Sequence, residues 1–195
     1  MIDRLRRALW AALLLSLPVT SFPFFPGGVG GKTLVRPLAV YPLLALVLLV
    51  TLPCLWRENL PRPPQPLLAF AVAAAASTVL AVVSLQSGGR GVSVPARAVR
   101  SLATLGVGLS LYFTVTLYPR GEADLRRSLR WMYLGMALAL AWGSLQAVYI
   151  LHFDRGYFDL LNRAQGYIST RPLFKRRVSG LTFEPNWFAE QIVFL

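Results

Sequence analysis

The chain has 195 residues, of which 55% are hydrophobic and 14% charged. Soluble domains carry about 25% charged residues. That deficit, with a mean hydropathy of +0.55, excludes an ordinary soluble domain and points to a polytopic membrane protein. The net charge of +12 invites a nucleic-acid reading. The basic residues exclude it, because they fall in breaks between apolar runs and not on one amphipathic face. Such a distribution suits anionic lipid head groups or an anionic lipid-linked substrate. The single cysteine, Cys54, rules out an internal disulfide and any Cys-based metal cage. It sits in an apolar run and reads as a packing residue.

In chain order, Arg4, Arg6 and Arg7 precede a first apolar run over 8–25. Pro18 and Pro23 interrupt it and no small-residue cleavage site follows, so it reads as a span and not a signal peptide. The glycine-rich break 26–36 contains Gly30-Gly31-Lys32-Thr33. A phosphate-binding loop needs glycine five positions before Gly31, and Pro26 stands there. The break therefore reads as a turn between spans. Residues 37–56 form the clearest span, free of charge. About 20 residues at 1.5 Å rise cover about 30 Å, the hydrocarbon thickness. Trp56 and Arg57 read as its interfacial anchor, and 57–66 as a stiff proline-rich linker.

Residues 67–86 form a third span with four consecutive alanines, Ala73 to Ala76. A Gly/Arg break follows, carrying Arg90, Arg97 and Arg100. The fourth span covers 99–118, where Gly106 and Gly108 suggest close packing. A charged break over 119–130 leads into a fifth span at 131–151. Residues 152–180 are the longest polar break, and a sixth span begins at Leu181. The expected fold is all-α: a transmembrane helical bundle of five complete spans and the start of a sixth. The expected organisation is one membrane domain over 1–195, the N-terminal half of a longer protein, because the last apolar run stops in mid-course.

The basic N-terminus orients that end to the cytoplasm. On this topology the outer breaks carry more Lys and Arg than the inner ones. Setting 152–180 aside restores the positive-inside bias. That break therefore carries its cations for another reason, and a cationic outer loop could bind a diphosphate. Lys175, Arg176 and Arg177 stand just before Gly180 and the Glu184-Pro185-Asn186 turn.

Arg177, Ser179, Gly180, Pro185, Asn186 and Ala189 resemble the Arg-x-Ser-Gly…Pro-Asn-x-x-Ala signature of the O-antigen ligase/polymerase family. The preceding layout of short-looped spans is also similar. The resemblance implies a metal-free membrane glycosyltransferase at the outer face of a bacterial cytoplasmic membrane. Its donor is a glycan on undecaprenyl diphosphate, ligated or polymerised. Family members are about twice this length, and a further functional histidine lies in a later loop, so His152 takes no such role.

The chemistry can also be argued from side chains. Guanidinium groups bind phosphate oxygens through paired donors and stay charged. In a water-poor site they stabilise a leaving diphosphate in place of a metal. Arg177 is the candidate for that role, with Arg176 and Lys175 behind it as substrate-binding cations. Glu184 is the candidate to orient Arg177 or to take the acceptor proton. Asn186 is the candidate to cap the helix or to hydrogen-bond a sugar. No cofactor or metal is expected.

Plainer readings stand beside these. Lys175 and Arg176 read equally as an interfacial anchor. Glu184-Pro185-Asn186 is also a helix start, and capping is the stronger reading for Glu184. Trp187 and Phe188 read as an aromatic belt. Glu190, an acid one turn into an apolar run, calls for a partner or a function. Asp154 and Arg155 read as a solvated pair. A transporter or flippase for an anionic solute or lipid is the alternative function, although no internal repeat accompanies it.

Overall fold

A computed structural model describes residues 2–24, 35–57, 65–84 and 93–193. The described elements are helical: α1 (Ile2–Ser16), α2 (Val40–Leu46), α3 (Leu52–Arg57), α4 (Gln65–Ser84), α5 (Val94–Leu117), α6 (Glu122–Leu151), α7 (Arg155–Ile168) and α8 (Pro185–Val193). The glycine-rich break expected as a turn, most of the proline-rich linker and part of the Gly/Arg break lie outside the described residues. The chain divides into two compact units, one of Met1–Leu46 with Pro119–Leu195 and one of Val47–Tyr118.

Among the described residues, α4, α5 and α6 are long and apolar enough to cross a bilayer, with 20, 24 and 30 residues. They overlap most of the expected third and fourth spans, and α6 contains the fifth. The charged stretch before the fifth span is a break only over 119–121, for α6 begins at Glu122. Glu122 pairs with Arg126 and Asp124 with Arg127 at helical spacing. Both acids lie in the first turn, where negative charge complements the positive end of the helix dipole. A charge run of this pattern extends a helix.

The first two apolar runs differ from expectation. The run over 8–25 is not one helix: α1 ends at Ser16, with Pro18 two residues on, and residues 19–22 are bonded outside any helix. The 37–56 run is helical but broken. A π-helical turn over Val47–Thr51 separates α2 from α3. Pro53 cannot donate to the carbonyl one turn back and its ring crowds that turn, so the ladder widens ahead of it.

In the second unit, α4 packs on α5. The half-buried face of α4 holds Ala71, Ala74, Ala75 and Thr78, small residues that allow close approach. The Thr51 and Thr114 hydroxyls meet at 3.3 Å. The expected tight packing at Gly106 and Gly108 is absent: a Cβ at either would meet nothing within 4 Å.

In the first unit, α6 is the axis. Its buried positions are Ser128, Gly135, Ala139, Gly143, Gln146 and Tyr149, a stripe at steps of three, four or seven residues. Trp10 of α1 donates to Ser128 Oγ at 2.8 Å. A Cβ on Gly135 would lie 2.9 Å from the Leu15 carbonyl oxygen, so α1 crosses α6 with backbone almost touching backbone. The segment over 152–180, expected as a polar loop, contains α7. Asp154 caps it by accepting from Tyr157 N at 2.6 Å, so Asp154 has a structural partner and is not half of a solvated pair. Tyr149, Leu161 and Leu173 form a buried cluster with Trp142, Ile150, Tyr157 and Phe158 around it.

Replacing Gly135 by Val should destabilise the chain by about 1–3 kcal/mol, because the obstruction is backbone and cannot swing away. Gly106→Ala faces open space and should be neutral or stabilising by up to about 1 kcal/mol. Unfolding of both variants in mixed micelles checks the contrast; equal effects would remove the backbone-contact argument for α1 and α6.

Candidate functional site

The turn that follows the conspicuous basic stretch is held by one side chain of α6. Gln146 lies in α6 and is fully buried. Its Oε1 accepts from Ser179 N at 2.9 Å and Gly180 N at 3.1 Å. Its Nε2 donates to the Gly180 carbonyl at 3.0 Å. One amide therefore satisfies both successive N–H groups and a carbonyl of an irregular segment. Such backbone is tolerated at a buried position only when its polar groups are paired.

Gly180 turns the chain with φ +56, the left-handed region that glycine enters without a Cβ clash. A Cβ there would also lie under 3 Å from the Phe188 ring. On the opposite side, a Cβ on Gly143 would lie 2.5 Å from the same ring. Phe188 is thus wedged between two glycines, one on α6 and one in the turn. It is buried, at 6% exposure, and is not part of an aromatic belt. Thr182 Oγ1 lies 2.7 Å from both the Ser179 and Glu184 carbonyls, which ties the turn to the start of α8.

A second support comes from residues 19–22. Thr20 N donates to the Leu181 carbonyl, and Phe183 N to Thr20 Oγ1 at 2.7 Å. Thr170 N donates to the Ser21 carbonyl, and the Ser21 and Ser169 hydroxyls are bonded to one another. The break after α1 is where the N-terminal segment grips the late motif.

The predicted site residues fall into two groups. Lys175, Arg176 and Arg177 are exposed, as are Asn186, Ala189 and Glu190. Glu184 is half-buried and pairs with Arg171, with Arg171 Nη2 to Glu184 Oε1 at 2.9 Å. The carboxylate expected to orient Arg177 therefore has Arg171 as its partner. The Arg171 guanidinium also lies 4.3 Å from the Phe183 ring centre, a cation–π contact that fixes its plane. The Glu184 carbonyl accepts from Trp187 N at 3.1 Å, so the residue starts α8 through its backbone while its side chain serves Arg171.

Beside the turn, α6 and α8 leave a cavity of about 390 Å³. Leu140, Gly143, Ala147, Val178, Pro185 and Ile192 are among its lining residues. Val178 directly follows Arg177 in the chain. The local arrangement is an exposed cationic triplet whose next residue enters an apolar cleft. Among the described residues, no group of three His, Cys, Asp or Glu could hold a metal.

Gln146, Gly143 and Arg171 were not singled out by sequence reasoning. Gln146 carried a usable signal: a lone carboxamide inside an apolar span is costly unless it is partnered. Gly143 had none, because a glycine in a span reads alike whether it faces a ring or lipid.

Gln146→Leu would leave two buried N–H groups without acceptors, at about 1–3 kcal/mol each. The turn should loosen, and trypsin should cut after Lys175, Arg176 or Arg177 faster than in the unsubstituted chain. Unchanged cleavage would show that the amide does not hold the turn.

No family model matches this chain, and no curated protein or solved structure matches it.

Proposed function

We propose that the chain belongs to a membrane glycosyltransferase of the O-antigen ligase/polymerase type. It would ligate or polymerise a glycan carried on undecaprenyl diphosphate, at the outer face of a bacterial cytoplasmic membrane. The observation that carries this reading is the exposed Lys175–Arg177 triplet joined to an apolar cleft through Val178. A diphosphate on a hydrocarbon chain has the same two-part chemistry. The Arg-x-Ser-Gly…Pro-Asn pattern adds to it, since Ser179 and Gly180 are the residues that Gln146 grips.

In the reaction, the acceptor hydroxyl oxygen bonds to the anomeric carbon as the bond from that carbon to the diphosphate oxygen breaks. The diphosphate leaves with the bonding electron pair, and the hydroxyl proton passes to a base. Arg177 stabilises the departing charge through paired N–H donors. Lys175 and Arg176 raise the local concentration of the anionic donor. Glu184 is the candidate proton acceptor, positioned by Arg171, and Asn186 the candidate sugar contact.

The five-span topology, with a cytoplasmic N-terminus, belongs to the same proposal. The second span rests on the uncharged run over 37–56, whose roughly 20 residues suffice by length for a hydrocarbon core of about 30 Å. The first run would complete its crossing with residues 17–24 beyond α1. The π-helical turn also favours the transporter alternative, because interrupted helices mark substrate paths in such folds.

Arg177→Ala, with membrane insertion intact, should lower glycan transfer from an undecaprenyl-diphosphate donor by about 100-fold or more. Undiminished product would remove Arg177 from the site. Movement of the lipid across vesicles without new glycosidic bonds would replace the reading with the transporter.

A further inference from the structure

The second unit carries a separate pair of cavities that the glycan-transfer reading does not use. Helices α4 and α5 pack side by side, and their seam opens into two spaces. One, of about 250 Å³, is lined by Ser77, Thr78, Val94, Arg97 and Ser101 among others. The other, of about 670 Å³, has Phe70, Ala74, Arg100, Leu105, Gly108 and Leu109 in its lining. Ser101 lines both. The result is a continuous seam with a polar, cationic head and an apolar tail. Its larger part falls in the roughly 300–1,000 Å³ range of ligand sites.

We propose that this seam binds one anionic phospholipid of the surrounding bilayer, with its phosphate at Arg97 and Arg100 and an acyl chain along the groove. Three observations support that occupant. First, Arg97 and Arg100 stand in the first two turns of α5, which begins at Val94. They bring two positive charges, about one turn apart, to the same seam, which complements an anionic head group. Second, the Ser77 and Thr78 hydroxyls donate to the Ala74 carbonyl. With those two hydroxyls engaged, the charged donors to a phosphate are the two guanidinium groups, which prefer paired phosphate oxygens. Third, from Arg97 to Leu109 the seam runs along α5 for about 18 Å at 1.5 Å per residue. One leaflet of a hydrocarbon core about 30 Å thick is about 15 Å deep. A leaflet phospholipid matches that reach, whereas a polyprenyl chain is much longer. Neither α4 nor α5 buries this face in the described structure: the most hydrophobic window of α4 has no buried residue.

The site is separate from Arg177, so its failure leaves the glycosyltransferase reading untouched. The test is native mass spectrometry of the 195-residue chain released from micelles holding equal phosphatidylglycerol and phosphatidylcholine. One retained phosphatidylglycerol is expected, favoured by about 30-fold, or about fivefold for each arginine near an anionic surface. Arg97→Gln with Arg100→Gln should abolish the preference. Gly108→Leu should abolish retention while leaving both arginines, and it should fold, since a Cβ there meets nothing within 4 Å. Equal retention of the two lipids by the unsubstituted chain would overturn the proposal without any variant. So would full retention in Gly108→Leu, or stronger retention of an added polyprenyl phosphate.

Discussion

The grip of the Gln146 amide on the Ser179–Gly180 peptide is the contact on which the late motif depends. A carboxamide offers one acceptor and two donors, and here it meets two N–H groups and one carbonyl. No apolar residue could stand in for it without leaving that backbone unpaired. The cost of placing a glutamine in an apolar helix is offset by the irregular turn that it makes possible. The turn then projects Lys175, Arg176 and Arg177 outward, while Val178 and Phe188 face the helix.

Glycine acts twice in the same lock, for different reasons. At Gly180 the backbone requires it, with φ +56. At Gly143 the backbone is ordinary helix, and the requirement is room for the Phe188 ring. Phe188 therefore reports on both positions. The half-buried ion pair between Arg171 and Glu184 remains partly screened by solvent and adds about 0–1 kcal/mol. Its value lies in direction: it holds a carboxylate at the start of α8, beside the same turn.

The spans and the turn were not equally legible in the sequence. Helices α4, α5 and the later part of α6 follow from uninterrupted apolar runs, since length and composition decide them. The start of α6 was hidden because Glu122, Arg126 and Arg127 look like a loop until their helical pairing is counted. Helix α7 was hidden because Tyr157, Phe158, Leu161 and Gln165 bury one narrow stripe of a mostly polar segment. The break in the second run reflects Pro53 acting on the turn before it. The residues of the turn were legible as a motif, and its anchor was not, because Gln146 lies 33 positions before Ser179. Contacts of that separation are set by packing and leave no local pattern.

The central claim is that the Ser179–Gly180 peptide is fastened inside the protein while the cations just ahead of it are free to meet a ligand. Amide hydrogen exchange resolved to single residues, on the chain in micelles, tests this most directly. The Ser179 and Gly180 amides should exchange at least about a hundredfold slower than those of Arg176 and Arg177, because a buried acceptor holds them and opening is needed for exchange. Similar rates across 176–180 would contradict the account.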